Sequence, residues 1–475
     1  MVTNAGSKVL RIGTLNGGFT LDPMQAQDKD SLFVLRQVVE PPLTSDVRGQ
    51  TLTPTLFTDD LVDEGGDSRV FSGRLRPGLR FSDGQPLDAD TVVRCLSQVA
   101  LVRDQATLES QGDRVVFHLK QPNARFDIAL SHPQCSIYRM DGGTPLGTGA
   151  FQIAPPVGDE AVRLVRNPHH REPIPLDEIH VVVYPPDADG TPSALLEAIA
   201  NGAVDYSSSL SRDFINTSSG VRKSILPGIS TSILYLNSES PRLADPRTRR
   251  AIARSIDRVE VARTCYSNAL AFTAHSLLPR ALDPVEDSLT YDATAADEAR
   301  KAGVPMPDKL TLLTIWGPRP YLPQPQRVID NLTWQLGRIG IELETITTSS
   351  REEYGEKVIA GREDLQLSGW IADVMDPTDF LEANLASNRV PTAANYSVSA
   401  NSGRLRSSAM DEALAYFRSD RNPTRLQRIM ELLSEHAPLI PLTYGATTAV
   451  LSFRVKNFEP SPLGIQPLDA LDLEE

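Results

Sequence analysis

The stretch Ser368-Gly-Trp-Ile-Ala-Asp-Val-Met-Asp-Pro-Thr-Asp-Phe-Leu381 joins a predicted strand to a predicted helix. Asp364–Trp370 is predicted to be a strand that runs into a loop. Proline disfavours helical geometry at the residue before it, so Asp376 is predicted to be the N-cap of a helix whose first residue is Pro377. Asp379 then lies in the first turn, where the helix dipole favours negative charge. The stretch therefore predicts a strand, a loop and a capped helix.

The three aspartates of this stretch are not spaced to form a metal site. Asp373 precedes the helix and shares no helical face with Asp376 or Asp379, whose positions have capping explanations. Asp373 follows Gly369, which permits close backbone approach, and Trp370, which offers a broad apolar face. A carboxylate at such a strand end can hold a cationic group of a ligand. A solvated loop aspartate is the alternative.

Strand and helix patterns alternate along the 475 residues. Strands are predicted at Val9–Leu15, Val70–Leu75, Arg114–Leu119, Ile179–Tyr184, Ser232–Leu236, Leu310–Ile315 and Ile341–Thr347. Helices are predicted at Thr91–Leu101, Ser193–Asn201, Pro246–Ile256, Arg327–Ile339, Ser408–Arg418 and Thr424–Glu435. Intermixed strands and helices predict an α/β or α+β protein, and the length predicts two or three domains.

Capping patterns predict helix starts at two other places in the sequence. Asp245 is predicted to be an N-cap followed by Pro246 at the first helical position, and Asp88 is predicted to be a second N-cap. The basic run Arg247-Thr-Arg-Arg250 is predicted to be a solvated helix face.

Composition excludes several classes of protein. The formal net charge of -14 argues against a nucleic-acid partner, and no apolar run is long enough to cross a bilayer. Cys95, Cys135 and Cys265 show no metal-ligand spacing and are predicted to be small buried residues. No phosphate-binding loop, nucleophile elbow or zinc-protease helix motif is present. Met1–Lys8 contains no signal-peptide pattern, so a cytoplasmic location stays open.

Seven segments in order carry a resemblance to a known family. They are Gly73–Val93 with its Phe-Ser-Asp-Gly turn, Leu146-Gly-Thr-Gly-Ala-Phe151, Leu164-Val-Arg-Asn-Pro168, Asp245-Pro-Arg-Thr-Arg-Arg-Ala-Ile252, Gly340-Ile-Glu-Leu343, Gly369-Trp-Ile-Ala-Asp-Val-Met-Asp-Pro377 and Asn395-Tyr-Ser397. Together they make the chain resemble solute-binding proteins of ABC importers, in the dipeptide- and oligopeptide-binding family 5.

The resemblance implies an α/β fold of the periplasmic-binding-protein type II (class C) kind. It would be bilobed, with an extra inserted subdomain and a hinge between the lobes. Lobe I would consist of residues 1–35, 145–236 and 447–475, the inserted subdomain of residues 36–144, and lobe II of residues 237–446. The chain would cross between lobes near Ser232–Asn237 and return near Thr447–Leu451.

The resemblance also implies a ligand site without catalytic residues, metal or cofactor. Asp373 would pair with a peptide's α-ammonium, with Gly369 and Trp370 beside it. Arg319, in Gly317-Pro-Arg-Pro-Tyr321, would take the peptide carboxylate, for which its planar fork is suited. Strand-like hydrogen bonds would hold the ligand backbone. The remaining walls would be formed by Tyr321, Asn395, Tyr396, Phe19 and Thr20.

The function implied by the resemblance is that of an extracytoplasmic receptor, not an enzyme. It would capture a peptide or peptide-like zwitterion in an interlobe cleft and deliver it, as a monomer, to the permease subunits of an ABC transporter. It would reside in the periplasm or on the extracellular face, where a lipid-tethered form is one option. The alternatives are a cytoplasmic ligand sensor and a binder of nickel, haem or another small solute. His169 and His170 match a surface turn of the family rather than a metal site.

Overall fold

A computed structural model describes residues 7–474, apart from 27, 46–50, 156–157, 188–190, 266–271, 283–288, 316–318, 320, 373, 375, 397–398, 420–421 and 466. The strands within the described residues are β1 (Val9–Thr14), β2 (Leu43–Ser45), β3 (Leu52–Pro54), β4 (Val62–Asp63), β5 (Val70–Arg74), β6 (Ala106–Gln111), β7 (Arg114–Leu119), β8 (Arg139–Asp141), β9 (Thr144–Leu146), β10 (Phe151–Ala154), β11 (Ala161–Arg166), β12 (Glu178–Val183), β13 (Tyr206–Ser207), β14 (Arg222–Leu236), β15 (Phe272–Thr273), β16 (Lys309–Ile315), β17 (Glu342–Thr348), β18 (Leu365–Ile371), β19 (Leu439–Leu451), β20 (Val455–Lys456) and β21 (Asp472–Leu473).

Helices alternate with these strands along the chain. They are α1 (Lys29–Val38), α2 (Ala89–Leu96), α3 (Ala100–Arg103), α4 (Phe126–Ala129), α5 (Ser193–Ala200), α6 (Arg212–Thr217), α7 (Pro246–Ser255), α8 (Arg258–Cys265), α9 (Ala295–Lys301), α10 (Pro325–Arg338), α11 (Arg351–Ala360), α12 (Pro377–Leu385), α13 (Ser408–Ser419) and α14 (Pro423–His436). Two short 3₁₀ turns occupy Pro133–Cys135 and Ser387–Arg389. The intermixed order confirms the α/β prediction.

Every predicted strand and helix has a counterpart, and most limits differ by one or two residues. The strand predicted at Ser232–Leu236 is only the end of the 15-residue β14. The helix predicted at Thr91–Leu101 is divided into α2 and α3, because Val99 is extended and buried between them. β18 does not end at a loop beside Trp370 but continues to Ile371.

The chain forms two compact units, and β14 and β19 carry it from one to the other. Unit 1 comprises Met1–Leu226 and Thr447–Glu475, and unit 2 comprises Pro227–Ala446. The division into two lobes and an inserted subdomain, with the residue limits given above, stays a prediction.

The main sheet of unit 1 has the strand order β10-β11-β12-β1-β13-β19. β1 pairs in parallel with β12, from Val9 opposite Glu178 to Thr14 opposite Val183. Helix α1 packs its apolar face on this sheet, so that Phe33 and Val34 share one core with Ile12. Burial of such side chains contributes about 1.5–3 kcal/mol each, which anchors α1 to the sheet.

A second sheet in unit 1 has its own hydrophobic core. Its order is β4-β5-β7-β6, and all of its pairs are antiparallel. Val92 and Leu96 of α2 and Phe117 of β7 are fully buried together. As predicted, Asp88 caps α2: its carboxylate accepts a hydrogen bond from the Thr91 N–H at 2.9 Å.

The sheet of unit 2 has the order β14-β18-β16-β17, and β15 pairs with the unit 2 part of β19. β18 is antiparallel to β14 and parallel to β16, which is parallel to β17. Leu234, Leu312 and Leu367 of these strands share a buried core with Ile252 of α7 and Leu332 of α10.

Two aspartate–proline helix starts in unit 2 are confirmed. The Asp245 carboxylate accepts from the Arg247 N–H at 2.8 Å and caps α7, with Pro246 as the first helical residue. The Asp376 carboxylate accepts from the Thr378 N–H at 2.8 Å and caps α12, which begins at Pro377.

The prediction that Arg247–Arg250 is a solvated face is wrong for Thr248 and Arg249, which are both buried. The Arg249 guanidinium donates to the carbonyl oxygens of Leu243 at 2.6 Å and His436 at 2.8 Å. His436 is the last residue of α14, where helix carbonyls lack intrahelical donors, so Arg249 supplies a missing hydrogen bond. Burial lowers the pKa of Arg249 to about 10, which leaves the side chain charged at neutral pH.

An ion pair with a buried carboxylate, Glu40, joins the end of α1 to the turn after β11. The Arg171 guanidinium donates two hydrogen bonds to the Glu40 carboxylate, at 2.7 and 2.8 Å, and the Thr148 hydroxyl donates a third at 2.7 Å. Burial disfavours ionised Glu40, but these donors outweigh that effect and lower its pKa. Arg163 and Glu178 form a bidentate pair of the same kind on the surface.

Replacing Arg171, whose partner Glu40 is buried, should therefore destabilise unit 1 far more than replacing Arg163, whose partner Glu178 is partly exposed. Arg171→Ala leaves the Glu40 carboxylate buried without its partner, and we expect a loss of about 3 kcal/mol in unfolding free energy at pH 7. Arg163→Ala is the matched control and should cost only a small fraction of that, because exposed pairs are screened. Urea unfolding measures both.

The same comparison has a pH dependence of known sign. Because the pKa of Glu40 is lowered in the folded state, its pairing contributes stability above the unfolded carboxyl pKa and loses it as the pH falls through the folded pKa. The gap between wild type and Arg171→Ala should narrow on acidification. Equal losses for both arginine variants at pH 7 would contradict this interpretation.

Candidate functional site

Among the described residues, strands pair with the carboxyl end of β18 along one side only. β14 pairs with it from Leu365 to Ile371. Within the described part of the chain, β16 pairs with it only at Leu365 and Gln366. Peptide N–H and C=O groups of an unpaired strand edge can accept another extended chain. The segment Leu367–Ile371 therefore offers an edge to which a ligand backbone could be added.

Gly369 in this segment is covered by the ring of Tyr321. A Cβ at Gly369 would lie 2.5 Å from Tyr321 Cδ2 and 2.5 Å from the Thr231 carbonyl oxygen, so only glycine fits between them. Tyr321 itself is held in a tight turn, in which the N–H of Arg319 donates to Leu322 O at 3.0 Å and the reverse bond is 2.9 Å. The structure thus brings together the two predicted segments, Gly369–Trp370 and Arg319–Tyr321.

Trp370 lies on the opposite face of β18 from Gly369, because side chains alternate along a strand. Gln366, Ser368 and Trp370 share this face, and the Gln366 Nε2 donates to the Tyr354 hydroxyl at 2.7 Å. The Trp370 indole N–H is buried and has no hydrogen-bond partner among the described residues. A buried donor without a partner costs about 1–3 kcal/mol.

Tyr354 of α11 is the main contact behind this face. Its side chain is hydrogen-bonded to Ser368 and Gln366 and lies near the phenols of Tyr321 and Tyr396. Burial raises the pKa of Tyr354 well above its ordinary value, so its hydroxyl remains protonated throughout the physiological range. Sequence analysis did not identify Tyr354, because a contact between a helix and a distant strand leaves no local pattern. The polar Gln366 and Ser368 between buried leucines were the available signal.

Asn395 is held by hydrogen bonds within its own loop, whereas Tyr396 packs against helix α11. The Asn395 amide oxygen accepts from the Thr392 N–H at 2.7 Å, and its nitrogen donates to Asn388 O at 3.0 Å and Val390 O at 3.1 Å. These bonds close the loop that leads to Tyr396. The Tyr396 ring lies against Gly355 of α11, in a cluster with Tyr354.

Phe19 and Thr20 belong to unit 1. Phe19 is half-buried against the core of the main sheet. The Thr20 N–H donates to the Ser31 hydroxyl of α1 at 2.9 Å, which fixes this segment at the start of that helix. Their role as walls of a ligand site stays a prediction.

Asp373 lies outside the described residues, and its predicted role as the ammonium anchor stays a prediction. The residues on either side of it form backbone hydrogen bonds: the Ala372 N–H donates to Ile229 O at 2.9 Å, and the Asp376 N–H donates to Val374 O at 2.8 Å.

His169, His170 and the three cysteines are of residue types that commonly bind metal ions. The His170 Nδ1 lies 3.0 Å from Thr148 O, and the His169 N–H donates to Asn167 Oδ1 at 2.9 Å, as in a structural turn. The three cysteines are free; Cys135 and Cys265 are buried and Cys95 is half-buried. Within the described residues, no group of three or more histidine, cysteine or acidic side chains is arranged to hold a metal ion.

Within the described ranges of the chain, no helix combines the length and the apolar character needed to span a bilayer.

Comparison with protein families defines the class to which this fold belongs. Residues 51–391 match the family model of bacterial extracellular solute-binding proteins, family 5 (middle region). The chain belongs to family 5 of the bacterial extracellular solute-binding proteins. The predicted family and its periplasmic-binding-protein type of α/β fold are thereby confirmed.

Two curated relatives align with most of the chain. The peptide transport periplasmic protein SapA of Haemophilus influenzae is 22% identical over 438 residues, covering 87% of this chain and 74% of SapA. The probable di/tripeptide-binding protein 5 of Pseudomonas aeruginosa is 25% identical over 468 residues, covering 88% of this chain and 86% of that protein.

Solved structures share the fold along nearly the whole length. HbpA2 from Haemophilus parasuis superposes with a TM-score of 0.83 at 18% identity, covering 98% of this chain and 100% of that one. The periplasmic binding protein DppA from Helicobacter pylori, in complex with the peptide STSA, gives 0.78 at 20% identity, covering 99% and 98%.

The packing of Tyr321 on Gly369 generates a testable prediction. Gly369→Ala places a methyl group against Tyr321 and the Thr231 carbonyl, so the ring and the strand must separate. We expect a loss of about 1–3 kcal/mol in unfolding free energy, as for other overpacked sites. Thermal or urea unfolding measures it.

Gly337→Ala in α10 is the matched control, because a Cβ at Gly337 has no atom within 4 Å. It should stabilise the helix by about 0.5–1 kcal/mol. If both alanine variants gained stability, the close packing of Tyr321 on β18 would be contradicted.

Proposed function

We propose that the protein binds a short peptide, or a peptide-like zwitterion, and delivers it to the permease of an ABC transporter. The observation that carries the proposal is the contact of Tyr321 with Gly369, which holds the Arg319 turn beside an open strand edge. The relatives named for peptide transport and di/tripeptide binding support it.

The proposed binding requires complementary charges and no bond chemistry. The edge of Leu367–Ile371 would bond to the ligand backbone irrespective of its side chains. Arg319 would meet the carboxylate of the ligand, and Asp373 its α-ammonium. Each hydrogen bond to a charged group contributes about 1.5–3 kcal/mol, enough to fix the direction in which the ligand binds.

The cellular role follows from the family and belongs to the same proposal. The protein would act as a monomer outside the cytoplasm. Its ligand would bind in a cleft that closes by hinge motion. It would meet the permease after closure. No enzymatic step is needed at any stage of this cycle.

The direct test is calorimetric titration of the purified protein with trialanine and with its N-acetylated and C-amidated forms. We expect trialanine to bind and both blocked forms to bind more weakly, because each lacks one charge. Failure of all unmodified di- and tripeptides to bind would overturn the proposal. Native mass spectrometry showing a co-purified nickel complex or haem would do the same.

Arg319→Ala should weaken binding of trialanine by about tenfold to a hundredfold, the equivalent of one charge-assisted bond. The C-terminal amide should bind the variant and the wild type almost equally, because it has no carboxylate to lose. Arg338→Ala on the exposed face of α10 is the control and should leave both affinities unchanged. Equal losses for acid and amide would remove Arg319 from the site.

Asp373→Asn should produce the complementary pattern. It removes the negative charge while retaining size, so binding of a free-amine peptide should fall about tenfold or more. The N-acetylated peptide should show little change between variant and wild type. The same calorimetric titrations decide the matter, and a parallel loss for both peptides would exclude Asp373 as the ammonium anchor.

A further inference from the structure

Helix α11 contacts the candidate site through two adjacent residues, Tyr354 and Gly355. The Tyr354 hydroxyl accepts the hydrogen bond from Gln366 at 2.7 Å and also bonds to Ser368. Both partners lie on the face of β18 that carries Trp370. One turn of α11 therefore fixes the orientation of this face.

Gly355 is placed where a larger residue would meet an aromatic ring. A Cβ on Gly355 would lie 3.0 Å from Tyr396 Cε1 and 3.3 Å from Cζ. Carbon atoms pack best at about 3.5–4.0 Å, so a methyl group here would require the ring to move by a few tenths of an ångström. The missing side chain thus decides how closely Tyr396 approaches the helix.

The backbone conformation at position 355 does not require glycine. Gly355 lies inside α11 and is not among the described glycines with positive φ. Glycine inside a helix is unfavourable compared with alanine, because it loses more conformational freedom on folding. Close approach of the Tyr396 ring is the feature that offsets this cost.

We infer that Gly355 is a specificity-determining positioning residue, which sets how far the Tyr396 wall stands from α11 and thereby which ligand side chains fit. The inference rests on the proposed function, because it takes Tyr396 as a wall of the peptide site. Gly355 touches no ligand in this account and acts only through Tyr396. Adding a methyl group there should change the relative affinity for large and small side chains.

The test compares five proteins: wild type, Gly355→Ala, Tyr396→Ala, the double variant and Gly337→Ala. Gly337 also lies within a helix, but a Cβ there has no neighbour within 4 Å, so it controls for helix propensity alone. Calorimetry gives the Kd of each protein for trialanine and for alanyl-phenylalanyl-alanine. The ratio of the two Kd values reports the room available for a side chain.

We expect Gly355→Ala to change this ratio at least threefold and Gly337→Ala to leave it unchanged. In the Tyr396→Ala background, Gly355→Ala should no longer change the ratio, because the ring through which it acts is gone. A ratio that stays constant in Gly355→Ala, or that changes equally without Tyr396, overturns the inference.

Failure of the proposed function gives a different result. In that case wild type binds neither peptide. The same variants then test the positioning step by urea unfolding. The Gly355→Ala midpoint should lie below that of Gly337→Ala, and adding Gly355→Ala to Tyr396→Ala should not lower the midpoint further. A Gly355→Ala midpoint shift that does not depend on Tyr396 overturns the positioning step as well.

Discussion

The contact between the Tyr321 ring and the backbone of Gly369 is the constraint on which the candidate site depends. A side chain at Gly369 would overlap both the ring and the Thr231 carbonyl, so the contact exists only because the residue is glycine. The Arg319–Leu322 turn then holds Arg319 beside the open end of β18. Two segments far apart in sequence become one surface through a single missing Cβ.

The features that the sequence predicted correctly are local ones. Asp376 and Pro377, like Asp245 and Pro246, start helices because the N-cap side chain and the proline ring act on their own first turn. Strand β7 was predicted with its exact limits because its apolar residues pack within one small sheet. The α/β class followed from the alternation of such segments, and the seven resembling motifs supplied the family.

The features that the sequence did not predict depend on distant partners. Pro227-Gly228 is typical of a turn, yet β14 continues through both residues. Its pairing with β18 begins only at Ser230, so the missing N–H of the proline costs no bond to β18. Arg249 was assigned to a solvated face because nothing in its own helix indicates the carbonyls of α14. Likewise, the contact of Tyr354 with β18 and that of Gly355 with Tyr396 are set by tertiary packing.

The candidate site would have one part that binds any peptide backbone and another part that selects among ligands. The strand edge would hold any extended backbone, whereas Arg319 and the aromatic side chains would select charge and size. The proposed binding mode requires a ligand backbone to pair with Leu367–Ile371. Hydrogen–deuterium exchange of this segment, with and without saturating trialanine, tests it most directly. Amide exchange should be slower in the bound protein, and unchanged exchange at full occupancy would show that the ligand backbone does not pair with this segment.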